Sequence, residues 1–173
     1  MEIISNLNSL IINNNYEYNR LLKSWINPNK KIEAELLYRL SRDGETTSKF
    51  HELCDNKGPT LTLFYINNGN IVGIYTPLSF DINSSWKRDN DTFIFNLNKN
   101  QKYKKKIIDN SIYCNESFGP FTYWFGTDGS ETIKKIIYNN ESLEIYYEKG
   151  SDFLPKNNSY YNLDEAEVYK IKI

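Results

Sequence analysis

The chain has 173 residues, 39% of them hydrophobic and 15% aromatic, with 21 Lys and Arg against 22 Asp and Glu for a net charge of −1. At roughly 150 residues per domain this leaves room for one globular domain, and a chain of this length buries about 70% of its extended surface, enough for a core without metal or disulfides. The near-neutral balance excludes a global electrostatic field for nucleic acid or an anionic membrane, and the composition excludes intrinsic disorder.

From Ser5 to Ile26 the apolar residues Leu7, Leu10, Ile11, Tyr18, Leu21, Leu22, Trp25 and Ile26 recur at mostly helical spacings, which predicts one or two amphipathic helices. Asn27-Pro28 ends them, because the residue before proline is pushed out of the α region. Glu35 to Leu40 reads as a short strand or helix running into the Ser41-Arg42-Asp43-Gly44 turn. A brief helix follows, capped by Thr46 or Thr47, with Phe50, Leu53 and Cys54 on one face. That phase turns the lone histidine, His51, away from the face and predicts it exposed or peripheral.

From residue 60 the period becomes two. Thr60 to Ile66 and Ile71 to Thr76, joined by Asn67-Asn68-Gly69-Asn70, form the clearest hairpin. Further strands are predicted at Thr92–Leu97, Ser111–Cys114, Phe121–Phe125, Ile133–Tyr138, Leu143–Tyr147 and Ala166–Lys172. A helical start followed by many short strands predicts a mainly β, α+β protein: a two-sheet antiparallel β-sandwich with flanking α-helices.

Candidate chemistry is sparse. One histidine and two cysteines, Cys54 and Cys114, exclude a multi-histidine metal site, and the cysteines form no CxxC pair, which argues against a disulfide framework. A thiol-dependent enzyme would have to use Cys54 with His51. The carboxylate groups Asp89/Asp91, Glu141/Glu144 and Asp164/Glu165/Glu167 are neighbours in sequence only, and Asp128-Gly129-Ser130-Glu131 lacks the spaced ligands of a calcium loop. The basic run Lys99 to Lys106 predicts a solvated loop, with RNA or phosphate binding as its functional alternative. The aromatic run Phe118 to Phe125 is either core strand or an exposed interface, and Tyr123-Trp124 leave a glycan-binding alternative open. The N-terminus has no secretory pattern and no long apolar run follows, so a soluble cytoplasmic protein without membrane insertion is expected.

Taken in order, Leu36-Leu37-Tyr38-Arg39-Leu40-Ser41-Arg42-Asp43-Gly44, Phe50-His51, Cys54-Asp55, Lys57-Gly58-Pro59-Thr60-Leu61-Thr62-Leu63, Gly73-Ile74-Tyr75-Thr76, Ser85-Trp86, Thr92 to Leu97, Ile112-Tyr113-Cys114, Phe118-Gly119-Pro120 and Glu165 to Lys170 form an ordered series. This series resembles the TLDc domain family of oxidation-resistance proteins. The resemblance spans residues 34–173 and leaves 1–33 as an N-terminal amphipathic helical segment packed on the domain. It implies the same sandwich with flanking helices, a non-enzymatic binding and regulatory role without cofactor or metal, and a protein partner in the vacuolar proton-pumping ATPase. It also implies a contribution to oxidative-stress resistance; a monomer is expected, cytoplasmic or peripheral to an organelle through that partner. Gly44, Gly73 and Gly119 match family glycines, and Arg42, Asp43 and Glu167 match its charged positions. The chain departs from the family at Glu45, where an aromatic is usual, and at Phe121 to Phe125, where aromatics replace a glycine-rich run.

Overall fold

The computed structural model describes residues 2–107, 110–156 and 159–173. Among these the elements run α1 (Tyr16–Ile26), β1 (Glu33–Arg39), α2 (Leu40–Asp43), α3 (Thr47–Cys54), β2 (Thr60–Ile66), β3 (Ile71–Thr76), β4 (Ser85–Arg88) and β5 (Phe93–Asn96). They continue with β6 (Gln101–Lys104), β7 (Asn110–Cys114), β8 (Phe121–Thr122), β9 (Phe125–Thr127), β10 (Lys135–Tyr138), α4 (Asn140–Tyr146), a 3₁₀ turn (Gly150–Asp152) and β11 (Tyr160–Lys172). The protein is therefore mainly β with flanking helices.

All strand pairs are antiparallel, and hydrogen bonding runs without a break along β4-β7-β8-β9-β10-β11-β2-β3-β5-β6, with β1 also on β11. The long β11 joins the two halves: its first residues pair with β10, and the rest with β2 and β1. The halves close on a shared core, where Phe64 of β2 meets Phe125 of β9 edge to face at 5.9 Å. Strand periodicity sorts the side chains of the first half between two layers. Phe64, Val72, Ile74, Ile94, Ala166 and Val168 enter the shared core. Leu61, Leu63, Ile71, Phe93, Phe95, Tyr169 and Ile171 face the other way, under Ile4, Leu7, Ile12 and Leu22 of the N-terminal segment. Both faces of this half are buried, which is why β3 reads as an almost unbroken apolar run.

Four segments differ from the sequence expectation, the first being Phe121–Phe125, expected as one strand but split into β8 and β9 by a turn at Tyr123-Trp124. Helix α1 starts only at Tyr16, capped by the Asn15 side chain, which accepts from the Tyr18 amide at 3.1 Å. The residues before it turn instead, with Asn6, Asn13 and Asn14 at positive φ, a conformation that asparagine tolerates and a helix excludes. Leu143–Tyr147, expected as a strand, lies in α4 and its C-cap: Asn139 caps the Ser142 amide at 2.9 Å, and Leu143 and Tyr147, four apart, are both buried. The basic run is not a loop but contains β6, paired with β5 from Phe93↔Lys104 to Asn96↔Gln101.

Candidate functional site

The charged positions gather where β1 and β11 lie side by side. Glu167 sits in β11 opposite Arg39 of β1, on the face covered by the N-terminal segment. Its side chain is fully buried. Oε1 accepts from Arg39 Nε at 2.8 Å and from the Leu10 amide at 2.9 Å, while Oε2 accepts from Ser9 Oγ at 2.5 Å and from the Tyr169 hydroxyl at 3.2 Å. A buried carboxylate is tolerable when paired and hydrogen-bonded in this way. Burial opposes the Arg39 charge, and the adjacent Glu167 carboxylate outweighs it, holding the guanidinium above its usual pKa. Arg39 also donates to the Asn8 carbonyl at 2.8 Å, so one ion pair grips the chain at Asn8, Ser9 and Leu10.

Arg42, Asp43 and Gly44 adjoin this clasp. Asp43 Oδ2 accepts from the Arg39 amide at 2.8 Å, and both Asp43 oxygens take guanidinium bonds from Arg42, whose Nη2 also donates to the Leu37 carbonyl at 2.9 Å. Burial works to raise the Asp43 pKa, but Arg42 and the Arg39 amide outweigh it and hold it below the ordinary value. Gly44 ends the turn at φ +89°, and its carbonyl accepts from the Tyr38 hydroxyl at 2.6 Å. Thus three of the six family-matched residues, Arg42, Asp43 and Glu167, share one network through Arg39, completed by Ser9, and Gly44 adjoins it in the same turn.

The other two stand apart. Gly73 lies mid-strand in β3, where an added Cβ would come within 2.1 Å of the Thr62 carbonyl oxygen and 2.3 Å of Phe95 Cζ. Gly119 donates its amide to Thr127 Oγ1 at 2.8 Å, and a Cβ there would meet Ile133 Cδ1 at 2.3 Å. Both are packing positions.

His51 does lie on the outer side of α3, but it is buried there because the 115–118 loop folds over it. Nε2 lies 3.0 Å from the Asn115 carbonyl and 2.8 Å from that of Phe118, so this nitrogen carries a proton; Nδ1 lies 2.8 Å from Asp55 Oδ1. The ring thereby fastens the loop to the helix. Cys54 and Cys114 are free and buried; burial, aided by Asp55 and Asp43, pushes the Cys54 thiol far up, and burial raises Cys114 as well. The geometry makes neither a ready thiolate.

In the basic run four of five lysines direct their ammonium groups to backbone carbonyls: Lys99 to Asp152, Lys102 to Trp25 at 2.7 Å, Lys105 to Asn110 at 3.1 Å and Lys106 to Glu144. Lys102 caps the C-terminal turn of α1 and lies 4.1 Å from the Phe93 ring centre; burial, with Lys104 adding to it, brings its pKa down to about 8. It lines a cavity of about 530 Å³ together with Trp25, Tyr75, Asp91 and Phe93. The aromatic run divides between the two readings: Phe121 and Phe125 are buried, while Trp124 is exposed beside a half-buried Tyr123.

The chain thus combines a mainly β scaffold, a buried polar clasp and two buried thiols. The TLDc domain family model matches residues 6–172, and the chain belongs to that family. The match takes in most of the N-terminal segment as well as the motif series. No curated protein matches the chain.

Proposed function

We propose that this TLDc domain works by binding rather than by catalysis, engaging the vacuolar proton-pumping ATPase and so contributing to oxidative-stress resistance. The single observation that carries the non-catalytic part is the occupation of Glu167: both carboxylate oxygens are taken by Arg39, Leu10, Ser9 and Tyr169 inside a buried clasp, with no solvent contact for a substrate. Burial of both thiols and of His51 supports the same reading. Family membership supports the ATPase as partner. Among the described residues no helix is long and apolar enough to cross a membrane, which fits attachment to an organelle surface through that partner.

The test is a pull-down with the full chain from lysate of the source cell at gentle salt, probed for ATPase subunits. Recovery of cytosolic-sector subunits is expected, and their absence argues against the ATPase assignment. Cys54→Ala separates binding from thiol chemistry: protection against peroxide is expected to persist in the variant, and its loss in a chain that remains folded would favour an enzyme.

A further inference from the structure

Outside the clasp, the outer face of β4, β7 and β8 carries an aromatic surface that the core does not absorb. Trp86 and Tyr113 are register partners across β4 and β7 with ring centres 5.0 Å apart, and Trp86 lies 5.2 Å from Tyr123, which in turn lies 4.1 Å from Tyr146. Trp86 is 37% exposed and Trp124 45%, although large aromatics normally bury. Trp124 holds φ +63° in the two-residue turn between β8 and β9, a conformation that asparagine or glycine adopts more readily. Backbone strain at an exposed tryptophan points to use of that side chain. Trp86, Asn110, Phe121, Tyr123 and Trp124 line a cleft of about 180 Å³.

The lining also defines what fits. None of the five lining residues is itself a cation or carboxylate, and the neighbouring Arg88 and Lys105 are both engaged with Asn110 at the edge of the cleft. Its hydrogen-bonding capacity is mostly donor: two indole N–H groups without a protein acceptor among the described residues, and the Asn110 amide N–H, while Asn110 Oδ1 already accepts from Arg88 at 3.3 Å. A sugar presents hydroxyl donors that need acceptors, and the cleft offers few. A ligand of compact apolar rings and carbonyl acceptors, with no N–H of its own, meets both requirements. We propose that this cleft docks a proline-rich segment of a partner protein in the polyproline II conformation, its rings stacked on Trp86, Tyr123 and Trp124 and its carbonyls accepting from the indole N–H groups. This site is independent of the ATPase assignment.

Titration of the ¹⁵N-labelled full chain with a decaproline peptide tests it, with the three indole N–H resonances as reporters. Trp86 and Trp124 are expected to shift saturably while Trp25, which packs on Phe95, stays in place. Trp124→Asn suits the left-handed turn, so the variant is expected to keep its melting temperature and lose affinity at least about tenfold. Absence of a saturable shift, an equal response from Trp25, unchanged affinity in a folded Trp124→Asn, or a response to an oligosaccharide panel in place of the peptide would each overturn the proposal.

Discussion

Ser9 Oγ donates to Glu167 Oε2 at 2.5 Å, a bond that joins residues 158 positions apart. The same hydroxyl oxygen accepts from the Ile11 and Ile12 amides at 3.1 Å each, so it organises its own turn while tying that turn to β11. The N-terminal layer thus rests on a polar anchor as well as on the apolar contacts of Ile4, Leu7, Ile12 and Leu22 with the sheet.

Glu167→Gln places an amide donor among four donors and leaves Arg39 without its counterion. Breaking a buried pair in this way is expected to lower unfolding stability by about 3 kcal/mol. Ser9→Ala should cost about 1–2 kcal/mol, and the two together less than their sum because they share one bond. Urea unfolding measures all three, and faster hydrogen exchange at the Leu10 and Ile12 amides locates the loss.

Gly73→Ala is expected to destabilise by about 2–3 kcal/mol, since the added methyl would drive into the Thr62 carbonyl and the Phe95 ring rather than into open space. A contrasting substitution, Gly44→Ala, meets no atom within 4 Å and is opposed only by its φ of +89°. Unfolding midpoints should therefore fall further for Gly73→Ala.

Acid weakens the fold through carboxylates held below their ordinary pKa. In Asp43 and Asp81 burial acts to raise the pKa, and Arg42 and Lys87 respectively outweigh it. With folded values below the unfolded value of about 3.9, these groups bind fewer protons when folded, so their stabilisation is present above that pH and is lost as pH falls through the folded pKa. Asp43→Asn should lower stability near neutrality and flatten its decline below about pH 4, as measured by thermal unfolding across pH.

Both cysteines should resist a thiol reagent in the native protein and react together on unfolding, because each is buried and raised in pKa by that burial. Reaction of Cys54 in the folded chain at a free-thiol rate would contradict the buried environment described for it.

Local signals made much of this legible. The β2–β3 hairpin shows in the Thr60-Leu61-Thr62-Leu63 alternation, the apolar run of β3 and Gly69 between them, and the Arg42-Asp43-Gly44 turn shows in its own residues. Where periodicity is ambiguous the sequence is silent: Leu143, Ile145 and Tyr147 alternate like a strand, and only the Asn139 cap and the burial of Leu143 with Tyr147 decide for helix. The apolar spacing before Tyr16 looks helical, yet asparagines at positive φ turn the chain. His51 shows the limit of helix-face reasoning, since the face away from the core is buried by a loop more than sixty residues on. The Glu167 clasp depends on Ser9 and Arg39, far apart in sequence, and its one local sign is a charged residue alternating with Ala166 and Val168 in a buried strand.

The central claim, that the domain acts by engaging the vacuolar proton-pumping ATPase and not by chemistry, is tested most directly by titrating the purified full chain against the purified cytosolic sector of that ATPase. Saturable binding that persists unchanged in the Cys54→Ala, Cys114→Ala double variant is expected. Absence of saturable binding by a folded chain would contradict it.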